Sequence, residues 1–134
     1  VDEAEARRRF ADGRVARLAT VARDGRPRVV PCCFVLAGDV VYSAVDEKPK
    51  SSPDLARLQD MAVHPDVTFV VDHYTEDWDA VWWARVRGTA RMAGGDEETT
   101  AVALLREKYP QYESHQLARV VAVDVTEIRG WSGS

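Results

Sequence analysis

Two stretches of the chain hold residues whose types and spacing suit chemistry. The first is Asp46-Glu47-Lys48-Pro49-Lys50-Ser51-Ser52. It brings two lysines and two hydroxyls to the point where Ser52-Pro53 reads as a helix start, a hydroxyl cap followed by proline at the first helical position. Positive charge, hydroxyl donors and the free N–H groups of a helix N-terminus are what a phosphate or carboxylate requires. A solvated loop leading into a capped helix has the same composition. The second stretch is aromatic: Trp78, Trp82 and Trp83 follow closely on His73 and Tyr74. In a strand, Trp82 and Trp83 point to opposite faces, so at least one of them leaves the core and is free to wall a ligand or an interface. Arg85 and Arg87 share the parity of Trp83.

Protein nucleophiles are poorly supported. The chain has no Gly-x-Ser-x-Gly elbow, no Gly-x-Gly-x-x-Gly and no Walker loop. Cys32 has no histidine near it in sequence, and the histidines 64, 73 and 115 are scattered. Cys32 and Cys33 are adjacent, so in a strand they face opposite ways and form no ordinary disulfide with each other. With no second cysteine pair and no histidine cluster, no metal site is expected. An anion cradle and an aromatic wall without a catalytic dyad point to chemistry supplied by a bound cofactor.

The elements that must position these residues are legible. Asp2 to Asp12 reads as a helix stopped by Gly13. Arg14–Ala22 and Arg28–Leu36 read as strands joined by the Asp24-Gly25 turn, and Val40–Val45 returns as a third strand after Ala37-Gly38-Asp39. Pro31 cannot donate a ladder hydrogen bond, which marks an edge, a bulge or an interruption. Leu55, Leu58, Met61 and Ala62 recur at helical spacing up to His64-Pro65. Val67–Tyr74 and Ala80–Ala93 are strands around a turn at 75–79. A last helix from Glu97 to about Tyr109 carries Val102, Leu105 and Tyr109, and Leu117–Ile128 is the final strand. Six strands in hairpins with flanking helices predict a mainly β (α+β) protein: a closed or split antiparallel β-barrel, since closure removes exposed edges.

Composition sets the limits. With 134 residues, 46% hydrophobic and 30% charged, residues 1–134 are expected to form one domain. The formal charge of −4 argues against a general nucleic-acid binder. No apolar run reaches the ~18–20 residues of a membrane span. The acidic start Val1-Asp2-Glu3-Ala4-Glu5 lacks the basic and apolar regions of a secretory signal, so a cytoplasmic location is expected.

The order of short motifs resembles a known family. Arg17-Leu18-Ala19-Thr20, Asp24-Gly25-Arg26-Pro27, Arg28-Val29-Val30-Pro31 and Val41-Tyr42-Ser43-Ala44 are similar to the pyridoxamine-phosphate-oxidase-like split β-barrel superfamily. Lys48-Pro49-Lys50, Leu55-Ala56-Arg57-Leu58, Val70-Val71-Asp72-His73-Tyr74 and Arg129-Gly130-Trp131-Ser132-Gly133 resemble its actinobacterial branch that uses coenzyme F420. The resemblance implies an F420-dependent oxidoreductase, a homodimer with cofactors in grooves between subunits, and a small electron-poor organic substrate. It places Lys48 and Lys50 on the cofactor phosphate. Ser43, Ala44 and the stretch with Arg28, Val29, Pro31 and Cys32 would lie along the ring and ribityl chain, with Trp131 reaching the same site. On the substrate side it leaves His73, Tyr74, Trp78 and Trp82, with His73 and Tyr74 as candidate proton donors and no catalytic residue named. The FMN-using oxidases carry a basic residue near the position of Cys33 and Ser-Arg-Lys where this chain has Lys48-Pro49-Lys50, which ranks F420 ahead of FMN. The rivals are an FMN-binding oxidase or reductase of the same fold, and a non-catalytic F420- or tetrapyrrole-binding protein.

Overall fold

The computed structural model describes residues 1–46, 53–114 and 117–134. Lys48, Lys50, Ser51 and Ser52 therefore lie outside the described residues.

The helix α1 (Glu3–Asp12) starts where the Asp2 carboxylate accepts the N–H of Glu5, and Glu3 and Glu5 occupy its first turn, where negative charge favours the helix N-terminus. The strands β1 (Ala16–Val21) and β2 (Pro27–Cys32) form the expected hairpin, with Gly25 at φ 90° in the turn. The run Arg28–Leu36 is not one strand. It breaks at Cys33 and Phe34 into β2 and β3 (Val35–Ala37), so among the described residues the sheet has seven strands rather than six. β4 (Val40–Asp46), α2 (Pro53–Val63), β5 (Asp66–His73), β6 (Trp82–Met92), α3 (Gly95–Lys108) and β7 (Leu117–Ser132) complete the chain. Short 3₁₀ turns lie at Trp78–Ala80 and Pro110–Ser114. β7 continues past Ile128 through Arg129, Gly130 and Trp131, which brings Trp131 into the sheet.

The strand order is β2-β1-β5-β6-β7-β4-β3, and every adjacent pair is antiparallel. Its two edges, β2 and β3, are consecutive in the chain and separated by only Cys33 and Phe34. The sheet must curl until its edges meet at that junction, yet the edge strands do not pair with each other. The result is a split barrel. Pro31 sits in the edge strand β2, where its missing N–H leaves no central ladder incomplete.

The interior is filled by Phe10 and Ala6 from α1, Leu58 and Met61 from α2, and the inward residues of the strands, including Leu18, Phe69, Val86 and Val123. Phe10 packs on Phe34 and Phe69 with ring centroids 4.6 and 6.1 Å apart. A second apolar layer lies outside the barrel, where Ala101, Leu105 and Tyr109 of α3 cover Tyr42, Ala44, Val120 and Ala122 of β4 and β7. Burying β4 on both faces explains its nearly continuous apolar sequence. β6 and β7 slip register between Arg87 and Gly88; a Cβ on Gly88 would collide with the Asp124 carbonyl, so this bulge requires glycine.

Candidate functional site

Helices cover the barrel unevenly. α1 and α2 close its interior, α3 covers β3, β4 and part of β7, and no helix among the described residues covers the outer face of β2, β1, β5 and β6. Register places Val29 and Pro31 of β2, Arg17 of β1, Val70 and Asp72 of β5, Trp83 and Arg85 of β6, and Arg129 and Trp131 of β7 on this face. Arg17, Val70, Asp72, Trp83 and Arg85 line an open concavity of about 480 Å³, within the ~300–1,000 Å³ of small-molecule sites. Trp83 and Trp131 are cross-strand partners, and the Arg85 guanidinium lies 5.3 Å from the Trp83 ring. Val29 at 66% and Trp131 at 46% exposure leave substantial apolar surface in water beside it. Around the concavity the arginines 17, 85, 87 and 129 outnumber Asp72 and Glu127, so the face is locally positive although the chain is acidic.

Of the residues expected from sequence, Val29, Pro31 and Trp131 lie on this outer face. Arg28 and Cys32 belong to the same strand but face inward, opposite Thr20 and Ala16. Trp82 has the opposite parity to Trp83 and sits at the end of the barrel under α1. There His73 stacks on it at 6.2 Å between centroids, and the Arg9 guanidinium lies 5.4 Å from its ring. Trp83, not Trp82, is thus the tryptophan that shares a face with Trp131. Tyr74, just after β5, and Trp78, the first residue of the 3₁₀ turn that follows, are both exposed. The end of β7 packs there too: Gly133 donates to the Val81 carbonyl, and a Cβ at Gly133 would run into the Trp78 carbonyl.

Ser43 and Ala44 are buried. The Ser43 hydroxyl donates to the Cys33 carbonyl at 3.0 Å, Ala44 lies under α3, and the Tyr42 hydroxyl donates to Glu97 at 2.9 Å. What β4 exposes to the split is backbone, because β3 pairs only with Val40–Tyr42 and leaves 43–45 unpaired on that side. Burial pushes the Cys32 thiol up to about 11, so it is protonated at neutral pH and unsuited to act as a nucleophile. Three features escaped sequence reasoning. The buried Tyr109 hydroxyl binds the β2–β3 junction, accepting from the Phe34 N–H at 3.1 Å and lying 3.0 Å from the carbonyls of Phe34 and Arg14. Beside it the Lys108 ammonium lies 3.8 Å from the Phe34 ring, lowered to about 8 mainly by burial and then by Arg14. Asp60 of α2 is a buried carboxylate between Arg23 and Arg28. Parity had already grouped Trp83 with Arg85 and Arg87, but nothing local signals the other contacts.

A split barrel with this strand order and an open aromatic, arginine-bearing face has a match among known families. The sequence profile of pyridoxamine 5'-phosphate oxidase matches residues 2–132. The chain belongs to the pyridoxamine 5'-phosphate oxidase family. Solved structures agree on the fold. A conserved hypothetical protein of Mycobacterium tuberculosis superposes with a TM-score of 0.78 at 17% identity, over 99% of this chain and 86% of that one. The heme storage protein HutZ of Vibrio cholerae gives 0.70 at 16% identity, over 97% and 93%. An FAD-binding protein of Mesorhizobium loti gives 0.68 at 20% identity, over 97% and 94%. No curated protein matches the sequence. Among the described residues of this family member, no helix is long and apolar enough to cross a membrane, and no three His, Cys, Asp or Glu residues come together as a metal site would need.

Proposed function

We propose that this member of the pyridoxamine 5'-phosphate oxidase family is an F420-dependent oxidoreductase acting on a small electron-poor organic substrate. The observation that carries the reading is the uncovered outer face, where paired tryptophans, arginines and exposed apolar side chains surround an open concavity beside the edge strand β2. Flat aromatic walls and local positive charge fit a planar, anionic cofactor of the flavin or deazaflavin type. When bound, F420 supplies hydride chemistry at its deazaflavin ring. The chain's part is to bind, orient and keep water out. Trp83 and Trp131 would flank the ring and Arg17 and Arg85 would meet negative charge. Lys48 and Lys50 are proposed for the phosphate, and Ser43, Ala44 and the backbone of Arg28, Val29, Pro31 and Cys32 for the ring and ribityl side. His73, Tyr74, Trp78 and Trp82 are proposed for the substrate side.

A concavity this open cannot enclose a cofactor by itself, and a second copy of the chain on the same face would complete it. The exposed Val29, Pro31 and Trp131 would then be buried at a homodimer interface. Sedimentation at micromolar concentration should give a dimer, and Val29→Glu should yield a monomer with much weaker cofactor binding.

The deciding experiment titrates the protein with oxidised F420, FMN and heme, following cofactor fluorescence or absorbance, and repeats it with Lys48→Ala and Lys50→Ala. Tight binding of F420 that weakens in both lysine variants supports the proposal. Binding of FMN alone moves the protein to the FMN-using oxidases, binding of heme alone favours a tetrapyrrole carrier, and failure to bind any of them overturns the reading. Turnover of reduced F420 with electron-poor substrates separates a reductase from a storage protein.

A further inference from the structure

Lysine is scarce in this chain: positions 48, 50 and 108 hold all three. Lys108 ends α3, and its ammonium is seated against aromatic rings, 3.8 Å from the centroid of Phe34 and 5.3 Å from that of Tyr109. It donates to the Ala11 carbonyl in the last turn of α1 at 3.3 Å, and no carboxylate of the described residues forms an ion pair with it. A second cation shares the pocket instead. The Arg14 guanidinium lies 4.8 Å from the Tyr109 ring and donates to the Lys108 carbonyl at 2.7 Å. The ionisable groups facing the amine are Arg14 and Asp12 from the end of α1, Cys32 and Cys33 from the β2–β3 junction, and Tyr109 on its own turn. Arg14 works against the ammonium, while Cys33, Asp12 and Cys32 favour it more weakly.

An amine in that setting is activated. An ammonium pressed onto apolar rings loses hydration, and a guanidinium beside it opposes its charge; these are the two ways in which a lysine becomes a nucleophile. Both act here and hold Lys108 down at about 8. Near pH 7.5 about a quarter of the folded amine is uncharged, against about one part in a thousand in the unfolded chain. The side chain is half-buried rather than enclosed, so a small reagent reaches it. We propose that Lys108 is a site of modification by activated acyl groups, acyl phosphates or acyl thioesters. The Nζ lone pair attacks the acyl carbon and a C–N amide bond forms. The C–O or C–S bond breaks, phosphate or thiol departs, and a proton of the amine passes to water. The amide keeps an N–H for the Ala11 carbonyl and carries no charge for the pocket to desolvate, so the fold accommodates the product. The site is separate from the open outer face, and its chemistry does not depend on which cofactor binds there.

Acetylation of Lys108 is followed by peptide mass spectrometry with acetyl phosphate and with acetyl-coenzyme A, in the folded protein and in the chain unfolded by guanidinium chloride. Near pH 7.5 the folded amine should react about 10-fold faster than the unfolded one, because the gain in free amine exceeds the losses from weaker basicity and partial burial. The folded rate should level off above about pH 8, whereas the unfolded rate should keep rising toward 10.5. Arg14→Gln should slow the reaction about 2- to 5-fold, and Asp12→Asn should speed it by up to about two-fold. Opposite shifts from two neighbouring substitutions do not arise from loosened packing. The acetylated protein should also lose the rise in melting temperature above about pH 8, since Lys108 no longer titrates. Reaction with one donor alone identifies the acyl source and supports the assignment. Folded Lys108 that reacts no faster than unfolded Lys108 with either donor, a rate without a break near pH 8, or faster reaction in Arg14→Gln would overturn it.

Discussion

Replacing Tyr109 with phenylalanine removes one oxygen atom and leaves the ring packing in place. That oxygen holds the point where the chain leaves one edge of the sheet and joins the other. It accepts from the Phe34 N–H at 3.1 Å, and its single proton is shared between the Phe34 and Arg14 carbonyls, each 3.0 Å away. Tyr109 is 3% exposed and Phe34 is fully buried, so water cannot replace the lost partner without entering the core. A buried donor left unpaired costs about 1–3 kcal/mol. The carbonyls soften this little, since Ser43 binds Cys33 next door and not Phe34. The expected loss is therefore about 2 kcal/mol, most of it from the stranded N–H. For a domain of this length each kcal/mol moves the melting temperature by roughly 3–5 °C, so Tyr109→Phe should melt about 6–10 °C lower. Urea unfolding at fixed protein concentration should show a lower midpoint with an unchanged slope. Tyr74→Phe is the control: Tyr74 is 62% exposed, and its loss should change stability by less than about 0.5 kcal/mol. A Tyr109→Phe protein that melts within about 2 °C of the parent would refute the claim that this hydroxyl pins the junction.

Other expectations follow from named contacts. Lys108 is held at about 8 in the fold against 10.5 when unfolded, so the unfolded chain binds the extra proton between those values and stability should rise with pH from about 8. Near pH 10 the raised ionisation of buried Tyr109 and Tyr42 opposes that rise, and Lys108→Met should flatten the limb from 8 to 10 in a pH series of melting temperatures. Glu97 is held at about 2 by hydrogen bonds first from Arg91 and then from Tyr42. Its stabilisation is present above pH 4.5 and is lost as pH falls toward 2, so Glu97→Gln should shrink the acid-induced fall in melting temperature over that window. Gly133→Ala should detach the end of β7 from the 3₁₀ turn, which tryptophan fluorescence would report as a change at Trp78 and Trp131 with little loss of global stability.

Much of the fold was legible because it is encoded locally. Asp24-Gly25 specifies a turn with positive φ, and Gly25 adopts it. Leu58 and Met61, at helical spacing, both reach the core. Pro31 marks an edge, a bulge or an interruption, and β2 is an edge. The family resemblance was carried by the order of such local motifs, and the family profile spans residues 2–132. What these motifs do not encode is which strands meet. Arg28–Leu36 reads as one run because alternation does not register that Cys33 and Phe34 pass from the first edge of the sheet to the last. That step depends on a tyrosine 75 residues away. The site follows the same division. The residue types, tryptophan beside arginine and lysine before a helix, are visible in the chain. Parity alone separates Trp82 from Trp83, but which of them leaves the core depends on where α1 docks, since α1 takes Trp82 under Arg9 and leaves Trp83 to the open face with Trp131. Asp60 is one more polar residue in a helix until the barrel closes and encloses it beside Arg28. Torsional preference and periodicity act over a few residues and are written into them. Edge closure, helix docking and the burial of a charge are properties of contacts between distant segments, and they exist only once the chain is packed.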